Sequence, residues 1–131
     1  MNRLALVALL CGPSALAAQS ISFDGVWRPG DAQDCIVEGE DGTAIRIDDG
    51  VLYGARNECQ MTRPLEVRGM AAMLYDMECS GEDGADFTER AMVLKAADGG
   101  LYLVWDGYAF KYEACEDGTP VTATGDEAAG E

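Results

Sequence analysis

The segment 57–79 has a cysteine near its first residue, a cysteine at its last, and Gly69 midway between them. A chain reversal at Gly69 places Cys59 opposite Cys79. The same register forms three further apolar pairs: Met61 with Met77, Leu65 with Met73, and Val67 with Ala71. Alternate residues of a strand share one face, so the apolar and polar side chains separate onto opposite faces. The segment is therefore predicted to be a β-hairpin closed by its own disulfide.

Two features of this segment argue against a regular hairpin. Pro64 has no N–H to donate to a strand ladder, which indicates a sheet edge or a β-bulge at that position. Residues 70–77 also include an Ala-Ala-Met-Leu run that suits a helix, so a helix there is the competing prediction.

Residues 1–18 have the three-part pattern of a secretory signal peptide. The basic start MNR precedes the apolar run LALVALLCG, and Ala15-Leu16-Ala17 forms a small-x-small cleavage site. The apolar run is shorter than the roughly 20 residues that span a bilayer. Cys11 is assigned to this leader, because bulky Leu10 precedes it where a lipoprotein signal requires a small residue. No membrane span is predicted after residue 18.

Four cysteines follow the leader: Cys35, Cys59, Cys79 and Cys115. An even number in a short exported chain predicts two disulfides, because exported proteins fold in an oxidising compartment. A metal or redox site is not expected, since the chain has no histidine and no Cys-x-x-Cys spacing. The predicted location is the periplasm or the secreted fraction.

The four cysteines allow three pairings. In an up-and-down meander, Cys59 and Cys79 lie at the same end of their strands, which favours Cys59–Cys79 with Cys35–Cys115. The second bridge then ties the first strands to the last. The rival pairing is Cys35–Cys59 with Cys79–Cys115, because Cys35 and Cys59 flank the 48–50 turn almost symmetrically. Both pairings remain open at this point.

Strand patterns recur along the rest of the chain, separated by Gly and Asp. Residues 21–28 include Trp27 as a predicted core anchor, and residues 35–37 are predicted to begin a short strand. Residues 45–53 are predicted to form a hairpin with a three-residue loop, 48–50, and a G1 bulge, which would place Val51 and Tyr53 on the face of Ile45 and Ile47.

The last two hairpin strands carry the strongest turn signal. Asp106-Gly107 is typical of a type I′ turn, and the register around it forms three pairs: Leu103 with Phe110, Leu101 with Tyr112, and Trp105 with Tyr108. The preceding strand, 87–95, shows no clean alternation, as expected if both of its faces are partly covered.

These elements predict an all-β fold: a small antiparallel meander of seven to nine strands, closed or nearly closed into a barrel and held by two disulfides. The predicted domain covers residues 19–115. Residues 116–131 are acidic and lack large apolar side chains, so they are predicted to be a disordered tail. A monomer is expected.

The net charge restricts the partners of the chain. It is −15, and removal of residues 1–18 takes away Arg3 and leaves −16. This charge disfavours nucleic acids and anionic lipids, and it would attract a cationic periplasmic protein. The preferred explanation of the acidity is that it keeps an exported protein soluble.

The residue types argue against catalysis. Without histidine, no Ser-His or Cys-His site can form, and disulfides are expected to occupy the four cysteines. The acidic residues lie mainly in turns, where Asp is an ordinary turn residue. An enzyme is not predicted, and no cofactor is expected.

Three other sets of residues are candidate ligand sites. The acidic loop 82–86 offers oxygen ligands for calcium but lacks EF-hand spacing, so a solvated loop is preferred. Core packing is preferred over a soft-metal or adaptable surface for Met61, Met73 and Met77. Seven aromatic residues are predicted to fill the core, with a ligand pocket as the alternative: Trp27, Tyr53, Tyr75, Trp105, Tyr108, Phe110 and Tyr112.

The chain resembles a group of small exported four-cysteine proteins of Gram-negative bacteria. The matching features are Trp27, Cys35, the 48–50 hairpin, Glu58-Cys59, Cys79 before a Gly-Glu loop, Arg90, Asp98-Gly99, and Tyr112-x-x-Cys115. The resemblance implies a periplasmic domain and assigns no catalytic residues. In architecture alone, the chain is also similar to periplasmic inhibitors of lysozyme or of secreted metalloproteases. We therefore expect a non-enzymatic, inhibitor-like protein-binding module, with a lipocalin-like carrier of a small apolar ligand as the alternative.

Overall fold

The computed structural model of the protein describes residues 20–30, 34–39 and 42–116. The predicted signal peptide lies outside these residues, as does the predicted tail beyond Glu116. The described part of the chain contains eight strands: β1 (Gly25–Pro29), β2 (Ile45–Asp48), β3 (Val51–Tyr53), β4 (Asn57–Glu66), β5 (Ala72–Gly81), β6 (Phe87–Lys95), β7 (Leu101–Trp105) and β8 (Tyr108–Ala114).

The strands form a closed antiparallel barrel in which each strand pairs with the next and β8 pairs with β1. The predicted all-β barrel is therefore confirmed. The competing helix over residues 70–77 is wrong, because β5 occupies most of that range. Residues 35–37 do not form the predicted strand; instead the Ile36 carbonyl accepts hydrogen bonds from the N–H groups of Thr43 and Ala44. Within the described ranges, no helix is long and apolar enough to cross a membrane.

Both favoured disulfides, Cys59–Cys79 and Cys35–Cys115, are present, and the rival pairing is wrong. Cys59 and Cys79 face each other across β4 and β5 in the barrel interior. Cys115 instead packs outside the barrel wall with Val26, Val37 and Ala44 in a second apolar cluster. That outer bridge links the segment between β1 and β2 to the residue after β8. The two disulfides indicate an oxidising, extracytoplasmic compartment.

The β4–β5 register is confirmed for the first part of the hairpin and wrong beyond Thr62. The predicted pairs Cys59–Cys79 and Met61–Met77 form, but then a bulge shifts the register. Leu65 pairs with Leu74 instead of Met73, and the predicted pair of Val67 with Ala71 is replaced by a hydrogen bond from Val67 N–H to the Ala72 carbonyl. The shift occurs where Arg63 has a φ of 50° and Pro64 cannot donate to the ladder. It turns Leu65 outward, where it is 56% exposed.

The two short hairpins have the predicted strands but different turns. Asp49 and Gly50 both have positive φ, so the β2–β3 turn is a two-residue type I′ turn rather than a three-residue loop. This change places Leu52 opposite Ile47 in the core and moves Val51 and Tyr53 to the outer face.

In the β7–β8 hairpin, all three predicted pairs form. Gly107 has a positive φ, but among the described residues other than glycine only Asp49 and Arg63 do, so the turn is not type I′. The predicted register is still correct, because it depends on the number of residues in the loop, and the loop has the two predicted residues, 106 and 107.

An apolar cluster with side chains from all eight strands fills the barrel interior. Met77 is fully buried and Met61 and Met73 pack against the cluster, which confirms their predicted core role. Burial of one such side chain contributes about 1.5–3 kcal/mol. The later part of the outer face of β6 is also apolar, because Met92 lies in a cross-strand row between Leu74 and Val104. This half-buried outer row explains the absence of alternation in the β6 sequence.

Residues 21–23 close one end of the barrel. Phe23 is 3% exposed, and Ile21 packs against the same core cluster. The Trp27 indole Nε1–H donates a hydrogen bond to the Phe23 carbonyl at 3.0 Å. The Lys95 ammonium lies 4.8 Å from the centre of the Trp27 ring, a cation–π distance. The entry segment and β1 are thus held together at this closed end.

Candidate functional site

A cavity of about 450 Å³ lies at the opposite end of the barrel, which we call the mouth. Its floor is apolar: Leu52, Cys59 and Leu103 line it and are each no more than 3% exposed. The other lining residues come from the start of β2, the β3–β4 connection, β6, β7 and β8: Gly42, Thr43, Ala44, Ile45, Gly54, Ala55, Arg56, Asn57, Phe87, Glu89, Trp105 and Tyr112. Such a concave apolar site with few polar groups is typical of a ligand-binding pocket.

The wall of the mouth is uneven because neighbouring strands end at different levels. In β6 the residues paired with β7 begin at Met92, whereas the pairing with β5 continues to Phe87, so the first residues of β6 (87–89) extend beyond the turn between β7 and β8. Phe87 stands on this extension, pairs with Cys79 on β5, and is 41% exposed. The wall is therefore lower on the β7–β8 side, and the mouth is wider there.

The predicted aromatic set divides between the core, the mouth and the outer surface. Trp27 and Tyr112 belong to the buried core cluster, as predicted, and Trp105 packs against it; Trp105 and Tyr112 also line the mouth. Tyr75 lies towards the closed end, and Tyr53 lies outside the wall beneath the Arg46 guanidinium, 3.9 Å from the ring centre. The core prediction therefore holds for only part of the set.

Tyr108 and Phe110 remain exposed on the β7–β8 hairpin, at 69% and 47%. Their rings are stacked with centres 6.5 Å apart and an interplanar angle of 10°. They share a face of the hairpin with Leu103 and Trp105, with which they pair across the strands. Their exposure follows from the short β1, which pairs only with residues 112–114 of β8.

Two charged side chains line the mouth, Arg56 and Glu89. Glu89 pairs with the fully buried Met77 across β5 and β6, so it belongs to the inward-facing positions of β6. Sequence reasoning missed Glu89 because residues 87–95 show no clear period. The alternation of Phe87, Glu89, Ala91 and Val93 identifies the inner face only once the β5–β6 register is known.

The acidic loop 82–86 uses one of its carboxylates to hold its own turn. The Asp83 carboxylate accepts a hydrogen bond from the Ala85 N–H at 3.2 Å. Across residues 20–30, 34–39 and 42–116, no three His, Cys, Asp or Glu side chains converge as metal ligands. Further along β5, the Asp76 carboxylate pairs with Arg63 and Arg90 on the outer wall. The mouth is thus the candidate site that the fold creates.

No family model matches the chain, and neither a curated protein nor a solved structure does so. The functional assignment therefore rests on the chemistry of the mouth itself.

Burial in the mouth wall raises the pKa of the Tyr112 phenol. The unfolded chain then ionises first as pH rises above about 10, the ordinary tyrosine value. Tyr112 therefore contributes stability that is present below this pH and is lost as pH rises towards its folded-state pKa. We expect Tyr112→Phe to flatten the alkaline fall in the free energy of unfolding, measured by urea denaturation across this range. An identical alkaline slope in both proteins would contradict the prediction.

Proposed function

We propose that this protein is an exported binding module without catalytic activity, and that it takes a small apolar ligand into the mouth of the barrel. The observation that carries the proposal is the cavity of about 450 Å³ with its floor of Leu52, Cys59 and Leu103. The floor is buried beneath the rim, so an apolar ligand seated on it would lose contact with water. Removal of apolar surface from water contributes about 25 cal/mol per Å² before the costs of binding.

The construction of the site supports binding rather than chemistry. The barrel is closed, and two disulfides hold it, so the mouth is formed before a ligand arrives. Preorganisation of this kind reduces the entropy lost on binding. Among the described residues that line the mouth there is one carboxylate, Glu89, and the only cysteine, Cys59, is bonded to Cys79. A nucleophile with an adjacent base does not occur in that set.

The periplasm is the proposed location. The two disulfides support an oxidising compartment, and the signal-peptide pattern of residues 1–18 supports export. The resemblance to exported four-cysteine proteins of Gram-negative bacteria favours the periplasm over release from the cell.

The proposal is tested by filling the mouth. Ala55 lines the cavity, and Ala109 is exposed on the outer face of β8, so Ala55→Trp and Ala109→Trp make the same change inside and outside the mouth. We expect Ala55→Trp to weaken binding of the neutral fluorescent probe N-phenylnaphthylamine by at least about tenfold, or 1.4 kcal/mol. Ala109→Trp should bind the probe with the same affinity as the unmodified protein. Native mass spectrometry of freshly purified protein should also show bound mass.

Equal binding by all three proteins would place the probe outside the mouth and contradict the proposed site. The absence of probe binding together with a clean apo mass would contradict the function. Thermal unfolding of each variant separates loss of the ligand site from loss of the fold.

The exposed aromatic pair favours a second candidate, an inhibitor-like module that binds a cationic exported protein. Tyr108 and Phe110 form a stacked, exposed surface, and aromatic side chains of this kind are common in protein-binding hot spots. The acidity of the chain would attract a basic partner. The double variant Tyr108→Ser/Phe110→Ser should lose a partner retained by the unmodified protein from periplasmic extract at low salt, while binding N-phenylnaphthylamine normally. Retention of the same partner by the double variant would contradict this candidate.

A further inference from the structure

We infer that the mouth selects an organic cation, an ammonium or guanidinium group on an apolar stem, and that Glu89 is the residue that holds the charge. This inference rests on the proposed ligand site and names the chemical class that the site prefers. Glu89 is a carboxylate on the inner face of β6, between Phe87 and the buried Ala91.

Glu89 stands above the apolar core of the barrel. Further along the inner face of β6, Ala91 and Val93 are buried, at 1% and 0% exposure. Across the sheet, Glu89 pairs with Met77, and Met77 pairs with Met61. A ligand that rests its apolar part on the floor therefore places its other end near a carboxylate.

Glu89 has no partner of its own among the described residues. The five ion pairs in this part of the chain join other side chains, and no hydrogen bond to the Glu89 carboxylate occurs within it. The next residue, Arg90, points to the outer wall and donates to the Asp76 carboxylate at 2.8 and 2.9 Å. The Glu89 carboxylate is thus available to a ligand, and no internal ion pair needs to be broken.

Aromatic side chains flank this carboxylate. Phe87 lies two residues earlier on the same inner face and lines the same cavity. Trp105 is on β7. Because Met92 pairs with Val104, the next residues of the register, Ala91 and Trp105, lie side by side, and Trp105 is diagonal to Glu89. The faces of Phe and Trp rings attract cations, by about 0.5–2 kcal/mol depending on exposure. Carboxylate and aromatic faces together form a cation site, whereas they would repel an anion.

The other charged side chain of the mouth, Arg56, is a cation on a different side from β6, and the charge around it is acidic. It lies on the β3–β4 side and also lines an adjoining cleft, together with Glu38, Glu58 and Glu82. The net charge of the chain, −15, adds a negative potential that a concave site focuses. A cation is therefore attracted both by the field of the whole protein and by Glu89.

The experiment compares three ligands with the same apolar chain: hexyltrimethylammonium, hexanol and hexanoate. Calorimetric titration of the mature, disulfide-bonded protein should show the cation binding about tenfold more tightly than hexanol, the affinity ratio that one ion pair with a ring contact would produce, with hexanoate weakest. Glu89→Gln should lower the affinity for the cation to about the affinity for hexanol, and it should leave the affinity for hexanol unchanged. Glu78→Gln, on the outer face of β5, removes the same charge and should preserve the selectivity.

The possible results separate this inference from the proposed function. If hexanol binds in the mouth and the cation binds no more tightly, the cation preference is wrong and the apolar site stands. If Glu89→Gln and Glu78→Gln weaken binding of the cation equally, the cation preference comes from the electrostatic field of the whole protein and not from Glu89. If none of the three ligands binds, both proposals fail.

A second set of ligands distinguishes the source of the cation. Nα-acetyl-lysinamide and Nα-acetyl-argininamide represent basic side chains of a protein, and hexyltrimethylammonium represents a small-molecule amphiphile. Glu89-dependent binding of the amino-acid amides supports a basic protein segment as the occupant. Glu89-dependent binding of the alkylammonium alone supports a small molecule.

Discussion

Replacing Cys35 and Cys115 together by alanine is expected to lower the free energy of unfolding by about 4 kcal/mol, a large share of the stability of a small domain. This bridge joins residues 80 positions apart, so it removes more freedom from the unfolded chain than a short-range bridge does. It also lies where the barrel closes, and β1 and β8 pair there through only three residue pairs. Urea denaturation followed by tryptophan fluorescence measures the loss.

The double variant Cys59→Ala/Cys79→Ala is the matched comparison. Its bridge spans 20 positions, for which the same chain-entropy estimate is about 3 kcal/mol. Eight residue pairs continue to hold β4 to β5 when that bridge is absent. In the unmodified protein the Cys115 N–H donates to the Val26 carbonyl across the closure. Only the Cys35→Ala/Cys115→Ala variant should show faster hydrogen exchange at the backbone amide of residue 115. Unchanged exchange there would contradict a role for the bridge in closing the barrel.

Replacing Trp27 by alanine is expected to cost about 3–5 kcal/mol, the range for truncation of a large aromatic side chain in a core. The Trp27 side chain is almost fully buried, and its indole N–H bonds to the Phe23 carbonyl. The substitution leaves a cavity and also releases residues 21–23 from the closed end. Thermal or urea unfolding measures the effect, with Phe23→Ala expected to share part of it because the two residues form one contact unit.

Trp105→Ala is the control for Trp27→Ala. Both substitutions remove one indole, but Trp105 lines the mouth and is only partly buried. It should cost less than about 1.5 kcal/mol of stability and should weaken binding of a mouth ligand. Equal destabilisation by the two substitutions would show that the mouth aromatic is part of the core, and it would contradict the division between closed end and open mouth.

Local patterns were sufficient to predict much of the barrel. The alternation around Gly69 identified Cys59 and Cys79 as opposed residues, and the meander placed Cys35 with Cys115. The Asp106-Gly107 loop specified the last hairpin register, although not its turn type. These features depend on side chains that are near each other in sequence or share the two-residue period of a strand, so the sequence alone contains them.

The errors arose where backbone conformation was decided by a neighbouring strand. The bulge at Arg63 and Pro64 moved Leu65 outward, and the shorter β2–β3 turn brought Leu52 inward. One residue more or less in a turn or bulge exchanges the two faces of a strand. The energy of either arrangement depends on packing against the rest of the barrel, which no local pattern contains.

The sequence by itself determined that this protein is a small disulfide-bonded β domain with a strongly acidic surface. Its cysteine count, its strand period and its charge are properties of the residue order. Only the tertiary structure decided that one end is closed by residues 21–23 and that the other is an open mouth with Glu89 on its inner wall. The mouth exists because strands of unequal length meet around a closed ring, so that the first residues of β6 (87–89) extend beyond the β7–β8 turn. That juxtaposition is a consequence of closure between distant segments, and it therefore appears only when the barrel is assembled.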